Sequence, residues 1–151
     1  MFTGHQTGIH TFETLVKVRN DYPTLSRIVD WIALNLEAVY KHKTEVKAAQ
    51  LTISKLVELA KDACSSKWSE LLDKIVFKFL VGVNSRGRSH IVAAACHEHG
   101  CGMLKCILVN CHWISDSVKA SLLKGILSYR TVLSADSRGC DILRTINMPN
   151  S

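Results

Sequence analysis

Apolar residues recur along this chain at spacings of three and four, the period that lays one stripe down the side of a helix. Phe12, Leu15, Val16 and Arg19 begin a short pattern that Asn20-Asp21-Tyr22-Pro23 stops, because the residue before a proline avoids helical geometry. Leu25, Ile28, Val29, Ile32, Leu36 and Val39 make one longer stripe, closed by Lys41-His42-Lys43, whose charge suits a helix C-terminus. Thr44-Glu45-Val46-Lys47 reads as the cap of a third helix, running through Val46, Ala49, Ile53, Leu56, Val57 and Ala60 to a turn at Cys64-Ser65-Ser66.

Trp68, Leu71, Leu72, Ile75, Val76, Phe79 and Leu80 predict a fourth helix ending at Asn84-Ser85-Arg86-Gly87, where polar and glycine residues let the chain leave the helix. Ile75 to Val83 is also rich in strand formers; the stripe that starts at Trp68 favours helix. Short helices fit Ser89 to Glu98 and Met103 to Trp113. Ser115-Asp116 then caps a helix from Val118 to Leu133, and a last one spans Asp141 to Ile146.

The chain also resembles itself. Shifted by 52 positions without a gap, Leu71 to Ile91 falls on Leu123 to Leu143, and Asn84-Ser85-Arg86-Gly87 falls on Asp136-Ser137-Arg138-Gly139. A period of this size marks stacked supersecondary units, none of which buries its apolar face alone. Function then belongs to a binding surface and not to a catalytic pocket.

Composition fits this picture. Of 151 residues, 47% are hydrophobic and 21% charged, which is globular and not the composition of a disordered chain. One domain, residues 1–151, is expected. No segment has the ~20 apolar residues of a membrane-spanning helix and the N-terminus lacks a signal-peptide pattern. The chain is therefore expected in the cytoplasm, with its six cysteines reduced.

Arg88-Ser89-His90-Ile91 followed by Glu98-His99-Gly100-Cys101-Gly102-Met103-Leu104-Lys105-Cys106-Ile107-Leu108 resembles the first two helices of an armadillo repeat with the glycine turn between them, and Ser115 to Ser134 resembles the long third helix. Trp68 to Val83 is similar to a preceding third helix, and Gly139 to Ile146 to a following first helix. The resemblance, to armadillo or the related HEAT-like repeats, implies an all-α, right-handed α-solenoid. It also implies a non-enzymatic protein-interaction scaffold, of the kind common at centrosomes and cilia and in trafficking. Without a closing helix the chain reads as a fragment or short form of a longer repeat protein, with open ends able to self-associate.

The departures shape the partner. Armadillo grooves carry a tryptophan and an asparagine on each third helix; the resemblance places Lys78 with Gly82, and Arg130 with Ser134, at those positions. Cations there favour an acidic or helical protein partner. Lys74, Lys78, Arg86, Arg88, Arg130 and Arg138 are the candidate contacts, with solvated helix-face charge as the plain alternative. A net charge of +6 keeps nucleic acid as a second partner class, although no stacking motif accompanies it.

Other constellations carry less. Gly82 to Ser89 has the outline of a phosphate loop, but Arg88 stands where that loop has lysine. Cys96, His97, His99 and Cys101 cluster at a predicted turn and are the weak metal candidates; buried cysteines acting as small hydrophobes are the plainer account. Cys96, His99 and Glu98 supply the residue types of a thiol nucleophile on one short segment, where they do not easily converge. No cofactor and no enzymatic activity is expected.

Overall fold

The computed structural model describes residues 22–63 and 66–147. Over these residues the chain is all-helical, and the one strand-like pairing is an isolated bridge between Val83 and Ser89. The helices are α1 Tyr22–Leu34, α2 Leu36–Lys41, α3 Lys43–Ala63, α4 Ser66–Val81, α5 His90–Ala95, α6 Gly100–Val109, α7 Asp116–Ser128, α8 Arg130–Ser134 and α9 Ser137–Asn147, with a 3-10 turn at Cys111–Trp113. The helix expected at Phe12 to Arg19, the turn residues Cys64 and Ser65, and the last four residues lie outside the described residues.

Pro23 stands in the first turn of α1, where its missing N–H costs nothing and its fixed φ suits a helix. Ile75 to Val81 is helical, so the strand reading of that run is set aside. Two expected long helices are each broken once. The stripe Leu25 to Val39 breaks at Asn35, whose Nδ2 donates to the Trp31 carbonyl (2.9 Å) and whose backbone leaves the helical region. The helix expected to Leu133 breaks at Tyr129, where the backbone N–H tightens onto Ile126 O. Thr44 lies inside α3, which opens one residue earlier. Ser115 is at the α7 N-cap without a side-chain cap bond; its N–H donates to Asp73 Oδ1 (3.0 Å) instead.

The order long, short, long helix occurs three times. α1 lies beside α4, and α4 beside α7. Tyr22 meets Trp68 (5.7 Å between rings) and Asp30 meets Lys74 (3.6 Å), so α1 and α4 run the same way. Ser115 meets Asp73, and Gly125 lies against Leu80 and Ile91, which sets α7 parallel to α4. Behind this row α3, α6 and α9 form a second, tied by the Lys105–Asp141 ion pair (2.7 Å). The short helices touch in chain order, α2 against α5 and α5 against α8. Between the long rows lies the core, with Leu25, Ile32, Leu71, Ile75, Phe79, Met103 and Leu104 fully buried, each worth about 1.5–3 kcal/mol.

The 52-residue alignment does not equate faces. Leu71, Leu72, Ile75, Val76 and Phe79 are buried, whereas Lys124, Leu127, Ser128 and Thr131 at the shifted positions are exposed. Leu122 and Ile126, 51 residues after Leu71 and Ile75, are the buried counterparts. One residue of slip turns a helix by ~100°, enough to move the stripe off the core.

Candidate interaction edge

Three junctions border the short helices α5 and α8 and make up this edge. The first is the loop from α4 to α5. Its shape follows from Asn84, whose Oδ1 accepts from the N–H groups of Arg86 (2.9 Å) and Arg88 (3.0 Å). Gly87 takes φ +75°, a left-handed conformation that favours glycine. Ser89 then caps α5 by accepting from Ile91 N (3.2 Å). Glu37 on α2 pins the loop from outside, accepting from Ser85 N (2.9 Å), Ser85 Oγ (3.0 Å) and Lys41 Nζ (2.8 Å). The lysine and the serine together hold its carboxyl down at about 2.

That carboxylate gives an acid-limb prediction. Its lowered value means that its contribution to stability is present above the ordinary carboxylate range, near 4.5, and is lost as pH falls toward about 2. Glu37→Gln is expected to be less stable than the parent at pH 6, with the two converging near pH 2. Urea midpoints at both pH values check this, and a gap unchanged by acid refutes it.

The second junction is the turn from α5 to α6. His97 Nδ1 accepts from His99 N (3.1 Å), and the two rings stand 5.7 Å apart. Tyr40 of α2 packs edge-on to His97 and shares a 3.2 Å hydrogen bond between its hydroxyl and His90 Nδ1. Burial lowers the proton affinity of His90 and pushes the Tyr40 phenol up to about 12. The third junction is α8 to α9, where Asp136 Oδ1 accepts from Arg138 N (2.8 Å) and Gly139 N (3.2 Å). Asn84 and Asp136 thus perform the same local task, so the sequence likeness of the two loops has a real, short-range cause.

Charge converges here. Arg88, Arg138 and Asp136 all bear electrostatically on Cys96, while His99, Lys41, Glu98 and Arg138 bear on His97. Of the six candidate cations, Arg88 and Arg138 both act electrostatically on Cys96, and Arg86 is exposed on the same loop as Arg88. Arg130 is exposed at the start of α8. Lys74 on α4 pairs with Asp30 on α1, and Lys78 is half-buried on α4. Lys78 and Arg130, equated by the resemblance, therefore stand on helices of different rows. Lys41 was legible only as a helix-end charge, and nothing local pointed to its part in the Glu37 and Ser85 cluster.

The remaining candidates have been given other partners. Among the described residues no three His, Cys, Asp or Glu side chains group as a metal site. Within the weak set, His97 Nδ1 takes backbone N–H, Cys101 Sγ lies 3.8 Å from the Glu98 carbonyl, and burial pushes the Cys96 thiol up, against the thiolate. The phosphate-like loop is followed by the six-residue α5, whose first turn Ser89 already caps. Beside the edge an open groove of ≈ 530 Å³ runs between α2 and the α4–α5 loop, lined by Leu34, Glu37, Lys41, Val83, Ser85 and His90 among others. No family model, no curated protein and no solved structure matches this chain.

Proposed function

We propose that the chain is a segment of an armadillo-like α-solenoid acting as a non-enzymatic scaffold for a protein partner. The observation that carries this reading is the threefold recurrence of long, short and long helix, with α1, α4 and α7 side by side and parallel. Stacking of this kind leaves one continuous surface along α1, α4 and α7. That surface exposes Lys74, Phe77 and Val81 on α4, and Lys124 and Leu127 on α7. Mixed apolar and cationic side chains at helical spacing suit an amphipathic or acidic protein segment. Exposed apolar side chains of this size tend to mark interaction sites.

The test is capture from nuclease-treated lysate with the parent and a Phe77→Asp, Val81→Asp variant. Both side chains are more than half exposed, so the variant is expected to keep its helical circular dichroism while losing the captured protein. Capture that is unchanged in the variant overturns the reading. The net charge of +6 and the exposure of Arg86, Arg88, Arg130 and Arg138 support a second reading, a nucleic-acid surface. It predicts nuclease-sensitive capture and affinity that falls steeply with salt.

A further inference from the structure

We propose that the groove between α2 and the α4–α5 loop, with the apolar strip that leads into it along α4, seats an amphipathic helix of a protein partner whose apolar stripe is flanked by acidic residues. This rests on the scaffold reading and names the partner class of its surface.

Four large apolar side chains stand exposed at one corner of the α1–α4–α7 row. Leu34 ends α1 and is 78% exposed, because the backbone turns at Asn35 before α2 begins. One helical turn earlier the Asp30–Lys74 ion pair (3.6 Å) sets α1 against α4. Leu34 therefore lies beside the part of α4 that carries Phe77 and Val81. Val83 follows on the α4–α5 loop, is 61% exposed, and lines the ≈ 530 Å³ groove together with Leu34. From Phe77 through Val81 to the groove is roughly 10 Å, the rise from position i to i+7 of a helix. That is the reach of a helix anchored by three side chains of one stripe.

The groove accepts apolar groups at low cost. Its polar residues Glu37, Lys41 and Ser85 are hydrogen-bonded to one another. An entering side chain therefore leaves that cluster intact, and no buried polar group loses its partner.

Charge selects the occupant. The acids of this corner, Asp30 and Glu37, are paired with Lys74 and Lys41. Among the described residues Lys78 on α4 and Lys124 on α7 make no ion pair. Lys124 stands near the level of Leu80, because the neighbouring Gly125 lies against that side chain. The two lysines thus border the strip from two helices, where carboxylates on the flanks of a docked helix meet them. A second copy docked through the same patch brings its own lysines against these two. A nucleic-acid backbone satisfies the lysines but leaves the apolar side chains in water.

The test is fluorescence anisotropy with three labelled peptides of equal length: a helix former with leucines at i, i+4 and i+7 flanked by glutamates, the same stripe flanked by lysines, and a scramble of the glutamate peptide. The glutamate peptide is expected to bind tightest. Leu34→Asp with Val83→Asp is expected to weaken it by ~10-fold or more with helical circular dichroism retained, and Leu34→Ser with Val83→Ser repeats the comparison with a milder change. Val109→Asp alters a side chain that is 67% exposed on α6, in the other row, and is expected to leave binding unchanged. Lys78→Glu with Lys124→Glu is expected to turn the preference to the lysine peptide. Equal binding of the scramble, an equal loss with Val109→Asp, or a preference for glutamate that survives the lysine changes overturns the proposal. A dimer in sedimentation that the Leu34 and Val83 changes dissolve overturns it in favour of a second copy. Tighter binding of a labelled single-stranded oligonucleotide overturns it in favour of nucleic acid. Absence of peptide binding, with protein capture still abolished by the Phe77 and Val81 changes, removes the acidic helix and leaves the scaffold reading standing.

Discussion

Gly139→Ala is expected to destabilise the fold by about 3 kcal/mol, a fall of ~10 °C in Tm for a chain of this size. At an exposed helical position the same change helps by about 1 kcal/mol, because glycine is the poorer helix former. Here the sign reverses. Gly139 is buried in the first turn of α9, and a Cβ there would run into the Leu133 carbonyl oxygen and lie 2.8 Å from that residue's Cα. Those are backbone atoms of α8 and cannot swing aside like a side chain, so α8 and α9 must separate. Gly102→Ala is the control, since its nearest neighbour is the flexible Gln50 amide at 3.3 Å. It is expected to be neutral or slightly stabilising. Thermal unfolding of the two variants decides the matter, and a Gly139→Ala protein as stable as the Gly102→Ala protein refutes the close approach.

Gly139 also corrects the internal repeat. Gly100 opens α6 against Ala94, with a Cβ expected 2.7 Å from the Ala94 carbonyl oxygen. In both places the glycine follows its backbone neighbour by six residues, at the passage from a short helix to the long helix behind it. Gly100 and Gly139 are therefore structural counterparts. The 52-residue shift pairs Gly139 with Gly87 instead, which is a turn glycine with φ +75° and nothing near its missing Cβ. Sequence likeness followed the residue types Asn/Asp-Ser-Arg-Gly; the fold follows where backbones touch.

The helical stripes were legible because one physical cause, burial of one face, repeats along each helix. Ile28, Val29, Ile32, Leu71, Ile75 and Phe79 were all on expected stripes and all are buried. The breaks at Asn35 and Tyr129 carry no proline or glycine to announce them. At Asn35 a side chain competes for a helix carbonyl, and at Tyr129 the break lets α8 fold back toward α5. The meetings of Glu37 with Ser85 and of Tyr40 with His90 were illegible for a related reason. Their proximity depends on how successive helix groups stack, and no local pattern encodes that distance.

Phe79→Ala is expected to cost about 3–5 kcal/mol, whereas Phe77→Ala, two residues away on the same helix, is expected to stay within about 0.5 kcal/mol. The ring of Phe79 is fully buried on α4, the helix that touches α1, α3, α5 and α7. Truncation removes its transfer free energy and leaves a cavity that four rigid neighbours close only partly. Phe77 is 52% exposed on the outer face of α4, so its loss opens no cavity. Urea unfolding of both variants, with the slope compared as well as the midpoint, reads the difference. Equal losses would mean that α4 is rotated from the position described, and both the α1–α4–α7 surface and the docking role given to Phe77 would fall with it. A large loss at Phe79 alone fixes the inner and outer faces of the row that the scaffold reading depends on.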